Sequence, residues 1–166
     1  VHNNLGEAHR ALKQLDEAIA AYEKAILIAP AHSDAHNNWG WALAASGRTH
    51  DAIDIFLHAR ALSPQDARIP ANLAAVYAEN GDRKNALDYW GRAVCLAIST
   101  PTLLGEIFAA MLEHGFLDAV IDLHNEHHQH LPNQTQVLLE LGRGLRLRRR
   151  TAQAQHYFER SLKQDP

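Results

Sequence analysis

Asparagine recurs at positions 4, 38 and 72, each 34 residues from the next, and the residue before it is again asparagine at positions 3 and 37. A primary amide both donates and accepts, so it can pair with the N–H and C=O of a passing peptide backbone without reading its side chains. Trp41 lies one helical turn beyond Asn37, where an exposed indole would anchor a bound segment. The next two steps of the same spacing bring Glu106 and Glu140 to the asparagine position, and Arg143 follows Glu140 within one turn. With neighbouring helices roughly 10 Å apart and an extended peptide rising about 3.3 Å per residue, three amide rungs would hold roughly six to nine residues. Asn4, Asn37, Asn38, Trp41, Asn72, Glu106, Glu140 and Arg143 are therefore the candidate partner-binding residues.

Two other segments carry chemistry of their own. In HNEHHQH, residues 124–130, His124 and His128 are one helical turn apart and His127 is near the same face. Two or three imidazoles suit zinc or nickel, but a closed site takes four ligands and no cysteine is close. A helix with packing and surface histidines is the favoured reading, and no metal or other cofactor is expected. RGLRLRRR, residues 143–150, could meet acidic peptide, lipid headgroups or nucleic acid. Arg143 and Arg146 are expected to face a groove, whereas Arg148, Arg149 and Arg150 fall near a turn, where cations favour the end of the preceding helix. A net charge of −3 and no groove-wide basic stripe argue against nucleic acid. Without a glycine-rich phosphate loop, a G-x-S-x-G elbow or a paired acid and base, no catalysis is expected within the chain.

The elements that would position these residues follow from the period. Ala18, Ala52, Ala86 and Ala154 share one 34-residue lattice, with Val120 at its fourth point. Pro30, Pro64, Pro132 and Pro166 form a second, broken by Ile98. Tyr22, Phe56, Trp90 and Phe158 form a third, with His124 in the fourth unit, and Gly6, Gly40, Ala74 and Gly142 a fourth, interrupted by Phe108. Each unit reads as two helical patterns of about a dozen residues separated by a turn such as SGRTH, NGDRK or HGFLD, where glycine suits the left-handed end of a helix. Proline closes the second helix, and Pro70 fits a first helical turn, where its missing N–H costs nothing. Small residues allow close helix approach and the aromatics fill the space between.

LGEAH…EAIAAYEKA…P and WGWAL…DAIDIFLHA…P in the first two units, with LAAVY…NALDYWGRA and LGRGL…AQAQHYFERS…P later, resemble the tetratricopeptide repeat, a 34-residue helix-turn-helix unit. IFAAM…AVIDLHNEHH…P in the fourth unit departs most. The resemblance implies an all-α solenoid of five units, 1–32, 33–66, 67–100, 101–134 and 135–166, wound as a right-handed superhelix with the first helix of each unit lining the concave face. It implies a protein-interaction scaffold that binds a protein or peptide segment in that groove. The asparagine series is also similar to the ladder in the repeat region of O-linked N-acetylglucosamine transferases, whose AH-x-N-L-G segments AHNNWG resembles. That likeness reaches Asn4, Asn38 and Asn72 and ends at Glu106 and Glu140. It raises a second reading, a substrate-docking arm of a larger enzyme. The family's carboxylate clamp does not fit, because its positions hold Asn3, Glu7, Asn38, Arg68 and Asn72, where several cations are required.

Composition sets the outer bounds. The chain has 166 residues, 46% of them hydrophobic, enough for a short repeat array. No apolar run approaches the roughly 18 residues of a membrane span. The lone cysteine, Cys95, forms no internal disulfide, so no compartment is indicated, with the cytoplasm slightly favoured. Charge is uneven, acidic before residue 135 and basic after it, and the 12 histidines would turn the net charge positive on modest acidification. A first residue of valine and uncapped ends suggest a segment of a longer array, or self-assembly through those ends as homo-oligomers.

Overall fold

The computed structural model describes residues 1–127, 135–147 and 149–164, with the side chains of Gln136, Val137, Glu140, Lys163 and Gln164 excepted. Among the described residues the fold is all-α, a helical repeat of ten helices. The helices are α1 (His2–Ala11), α2 (Leu15–Ile28), α3 (Ser33–Ala45), α4 (Thr49–Leu62), α5 (Arg68–Glu79), α6 (Arg83–Ala97), α7 (Pro101–Glu113), α8 (Leu117–His127), α9 (Thr135–Leu147) and α10 (Thr151–Gln164). They form two compact units, Val1–Asp82 and Arg83–Pro166, so the division falls between α5 and α6. None of the described helices is long and apolar enough to cross a membrane.

The turns repeat with the sequence period. Gly47, Gly81 and Gly115 have φ of 82°, 81° and 80°, the left-handed conformation that lets a helix end abruptly. Lys13 and Arg149 occupy the same position in the first and last turns, with φ of 60° and 59°. All five turns close with the same pair of backbone bonds. The N–H after the left-handed residue reaches back five residues, as in Arg48 to Leu43 (2.9 Å), and that of the left-handed residue itself reaches back three, as in Gly47 to Ala44 (2.9 Å). These bonds satisfy carbonyls that would otherwise be stranded at the helix end. Pro70 stands in the first turn of α5 and Pro101 opens α7, as their missing N–H groups require.

In the first unit each helix packs on its neighbour in the chain, and α3 also touches α1 and α5 directly. A Cβ on Gly6 would collide with the ring of Tyr22, and one on Gly40 would crowd that of Phe56 at 3.0 Å, so the missing side chains let paired helices close on an aromatic. In the second unit Gly142 and Phe158 repeat the arrangement. The 101–134 repeat inverts it, with Phe108 at the glycine position and His124 at the aromatic position, both fully buried.

One packing feature of the first unit carries a charge consequence. His36 on α3 is 4% exposed, and its ring centroid lies 4.6 Å from that of His58 on α4. Its Nδ1 bonds the carbonyl oxygen of His32 at 3.0 Å. Burial holds its pKa below the ordinary value, and the neighbouring charges of His58 and His32 act in the same direction, against the opposing effect of that backbone bond. The fold therefore keeps His36 neutral. The unfolded chain takes up the proton first, so stability is full above the ordinary histidine pKa of 6.5 and falls as the pH drops towards the folded-state value. Urea midpoints taken between pH 7.5 and 5.5 are expected to decline, and His36→Gln to flatten that decline by no more than about 1.4 kcal/mol per pH unit, the limit for one proton.

Candidate functional site

Four asparagines of the first unit form two cross-helix amide pairs, one between α1 and α3 and one between α3 and α5. The Nδ2 of Asn38 on α3 donates to Asn3 Oδ1 on α1 at 3.2 Å and to Glu7 Oε1 at 3.0 Å. The Nδ2 of Asn72 on α5 donates to Asn37 Oδ1 on α3 at 3.0 Å. Both asparagine–asparagine bonds join residues 35 apart, because each helix is staggered against the last and its amide reaches the position preceding its own lattice equivalent. The pairing thus runs through Asn3 and Asn37 rather than through the 4–38–72 series alone. Asn37 is buried, while Asn38 and Asn72 are partly exposed and Asn4 lies exposed on α1. The nitrogens of Asn38 and Asn72 are thus bonded to a neighbouring helix, and no hydrogen bond among the described residues uses their Oδ1 atoms.

Trp41, 39% exposed, stands one turn along α3. The Arg10 guanidinium from α1 lies over its ring, 5.0 Å from the centroid. Towards α5 the ring borders a pocket of about 150 Å³, walled by Ala44, Ala45, Asn72 and Val76 with Glu79 at its edge. Position by position, 68 residues on, the second unit has a pocket of about 190 Å³ between α7 and α9, where Ala109 replaces Trp41 and Arg143 replaces Ala75. Arg143, exposed, therefore lines a groove pocket together with Glu113. Glu106 is exposed on α7. The side chain of Glu140 lies outside the described residues.

The other charged candidates have structural partners. Arg68 bonds Asp66 (2.6 Å) and Asp34 (2.7 Å), which raise its pKa and leave it committed to two carboxylates rather than to a ligand. Arg150 pairs with Asp118 at 2.7 Å and bonds Gln153, and Arg149 supplies the left-handed turn, so this part of the basic run serves the α9–α10 junction. Arg148 lies outside the described residues. Of the histidine candidates, His124 is fully buried with its ring 5.7 Å from that of Tyr157, and His127 Nε2 lies 4.0 Å from Cys95 Sγ. His128 lies outside the described residues, and among those described no cluster of three or more His, Cys, Asp or Glu could hold a metal.

Two features escaped the sequence reading. Asn3 was legible only as a neighbour of Asn4, and the pocket with Glu79 needed α3 and α5 placed side by side. The 34-residue register was the signal that could have paired Trp41 with a residue of the next unit.

Comparison with known proteins agrees with this architecture. Residues 1–32 match the family model described as tetratricopeptide repeat. Among curated protein sequences none matches the chain. The fold is similar to that of MamA, with a TM-score of 0.62, 19% identity and coverage of 99% of this chain and 90% of that one. It is similar to that of YrrB, whose structure is described as a TPR protein with an unusual peptide-binding site, with a TM-score of 0.57, 19% identity and coverage of 99% and 85%. The protein pilF of Pseudomonas aeruginosa gives a TM-score of 0.67 at 18% identity, over 99% of this chain and 75% of that one. The first 32 residues thus match the tetratricopeptide-repeat model, and the fold along the chain is similar to that of these helical-repeat proteins.

Proposed function

We propose that the chain is a protein-interaction module whose first unit binds an extended peptide segment across α1, α3 and α5. The observation that carries this reading is the two amide pairs, Asn38 bonded to Asn3 and Asn72 to Asn37, with the half-exposed indole of Trp41 beside them. Cross-helix bonds fix the two amides before any ligand arrives, so little side-chain entropy is lost on binding. Their Oδ1 atoms suit the N–H groups of a peptide backbone, roughly one amide for every third residue. At about 0.5–1.5 kcal/mol net per hydrogen bond the two rungs give weak affinity, and Trp41 supplies the larger share. A peptide-binding site in YrrB is consistent with this use of the fold.

Nine-residue peptides selected from a random library on the intact chain provide the test. Asn38→Ala and Asn72→Ala together are expected to weaken the selected peptides about tenfold, and Trp41→Ala about thirtyfold, a hot-spot loss of roughly 2 kcal/mol. Helix content, followed by circular dichroism, should not change. Unaltered affinity in both variants would remove these residues from the site.

A further inference from the structure

Building on that peptide-binding reading, we infer that the pocket between α3 and α5 is a specificity subsite for one lysine or arginine side chain of the bound segment. Three properties of the pocket converge on a cation with an apolar stem. Its walls are Ala44, Ala45 and Val76, its volume is about 150 Å³, and one border is the ring of Trp41. A long aliphatic stem fits such walls, and an indole attracts a cationic group placed over it. At the edge stands the carboxylate of Glu79, exposed at the end of α5, with no ion pair or hydrogen bond among the described residues. The remaining polar wall is Asn72, whose Nδ2 donates to Asn37 and whose Oδ1 is an acceptor. A carboxylate and an amide oxygen are the partners of an ammonium or guanidinium and of no anion.

The neighbouring cation sharpens the same point. Arg10, from α1, lies over the Trp41 ring and does not line the pocket. Its charge opposes an incoming cation, which makes Glu79 the group that decides the preference. The equivalent pocket of the second unit has Arg143 beside Glu113 and lacks the indole, so the same place in the lattice carries a different selectivity there.

The test uses the full chain, nitrogen-15 labelled, and blocked alanine-based heptapeptides with lysine, norleucine or glutamate at the fourth position. The lysine peptide is expected to move the indole resonance of Trp41 and the side-chain amide of Asn72, at least fivefold more tightly than the norleucine peptide, with the glutamate peptide weakest. Glu79→Gln, an exposed substitution that breaks no bond, should bring lysine and norleucine within twofold of each other. Arg10→Gln should tighten the lysine peptide. Equal affinity for the three peptides, or a lysine preference that survives Glu79→Gln, overturns the cation subsite and leaves the groove reading standing. If no peptide moves Asn38, Trp41 or Asn72, both fall.

Discussion

Trp90→Ala is expected to cost about 3–5 kcal/mol, the range for emptying a large aromatic site in a packed core. The indole is fully buried in the second unit, its ring 4.7 Å from Phe116 in an edge-on arrangement and 5.6 Å from His114, both in the α7–α8 turn. Phe116 is covered in turn by the Arg83 guanidinium, 4.0 Å from its centroid. Trp90 therefore ties α6 to the turn of the following repeat, and its loss leaves α6, α7 and α8 without a shared centre. Hydrogen exchange should rise across those three helices before it rises in α3 or α4. Its indole N–H makes no hydrogen bond among the described residues, so Trp90→Phe keeps most of the packing and should cost less than half as much. Trp41→Ala is the control: a partly exposed indole, 39% accessible, whose removal empties no buried site. A Trp90→Ala midpoint in urea close to that of Trp41→Ala would contradict this assignment of the core.

The contrast between the two tryptophans shows what the period reveals and what it hides. Trp90 falls on the lattice of Tyr22, Phe56 and Phe158, so its burial was legible, and Trp41 lies off every lattice line, so its exposure was legible too. Glycine opposite the aromatic was equally readable, because close helix approach leaves no room for a Cβ. The left-handed turns at Lys13 and Arg149 were hidden, since residue type marks that conformation only where glycine occupies it. The amides were half legible. A 34-residue lattice aligns Asn4, Asn38 and Asn72, but hydrogen bonding follows the stagger of adjacent helices and joins residues 35 apart. As a result the nitrogens of Asn38 and Asn72 are bonded to neighbouring helices, a pairing that the 34-residue lattice alone does not predict. Pocket chemistry was hidden for the same reason. Glu79 and Trp41 are 38 residues apart, a separation with no meaning until two first helices stand side by side.

Two glycine-to-alanine substitutions should move stability in opposite directions. Both Gly142 on α9 and Gly91 on α6 lie inside helices, where alanine is intrinsically favoured over glycine by about 1 kcal/mol. At Gly91 an added Cβ would meet nothing within 4 Å, so Gly91→Ala is expected to stabilise the chain by up to that amount. At Gly142 the Cβ would fall inside contact distance of three ring atoms of Phe158, the farthest of them 2.8 Å away. All three are ring atoms rather than the tip of a flexible chain, and α9 and α10 pack against each other, so relief requires the ring or a helix to shift. Overpacking of this kind costs typically 1–3 kcal/mol, so the steric term exceeds the propensity gain and Gly142→Ala should be destabilising by about 1–2 kcal/mol. Gly142→Ala combined with Phe158→Leu separates the two effects: a smaller, more flexible partner relieves the clash, and the double variant should be less destabilised than the sum of the two single changes. Additive losses in urea titrations would mean that glycine at this lattice position serves something other than closure on the aromatic.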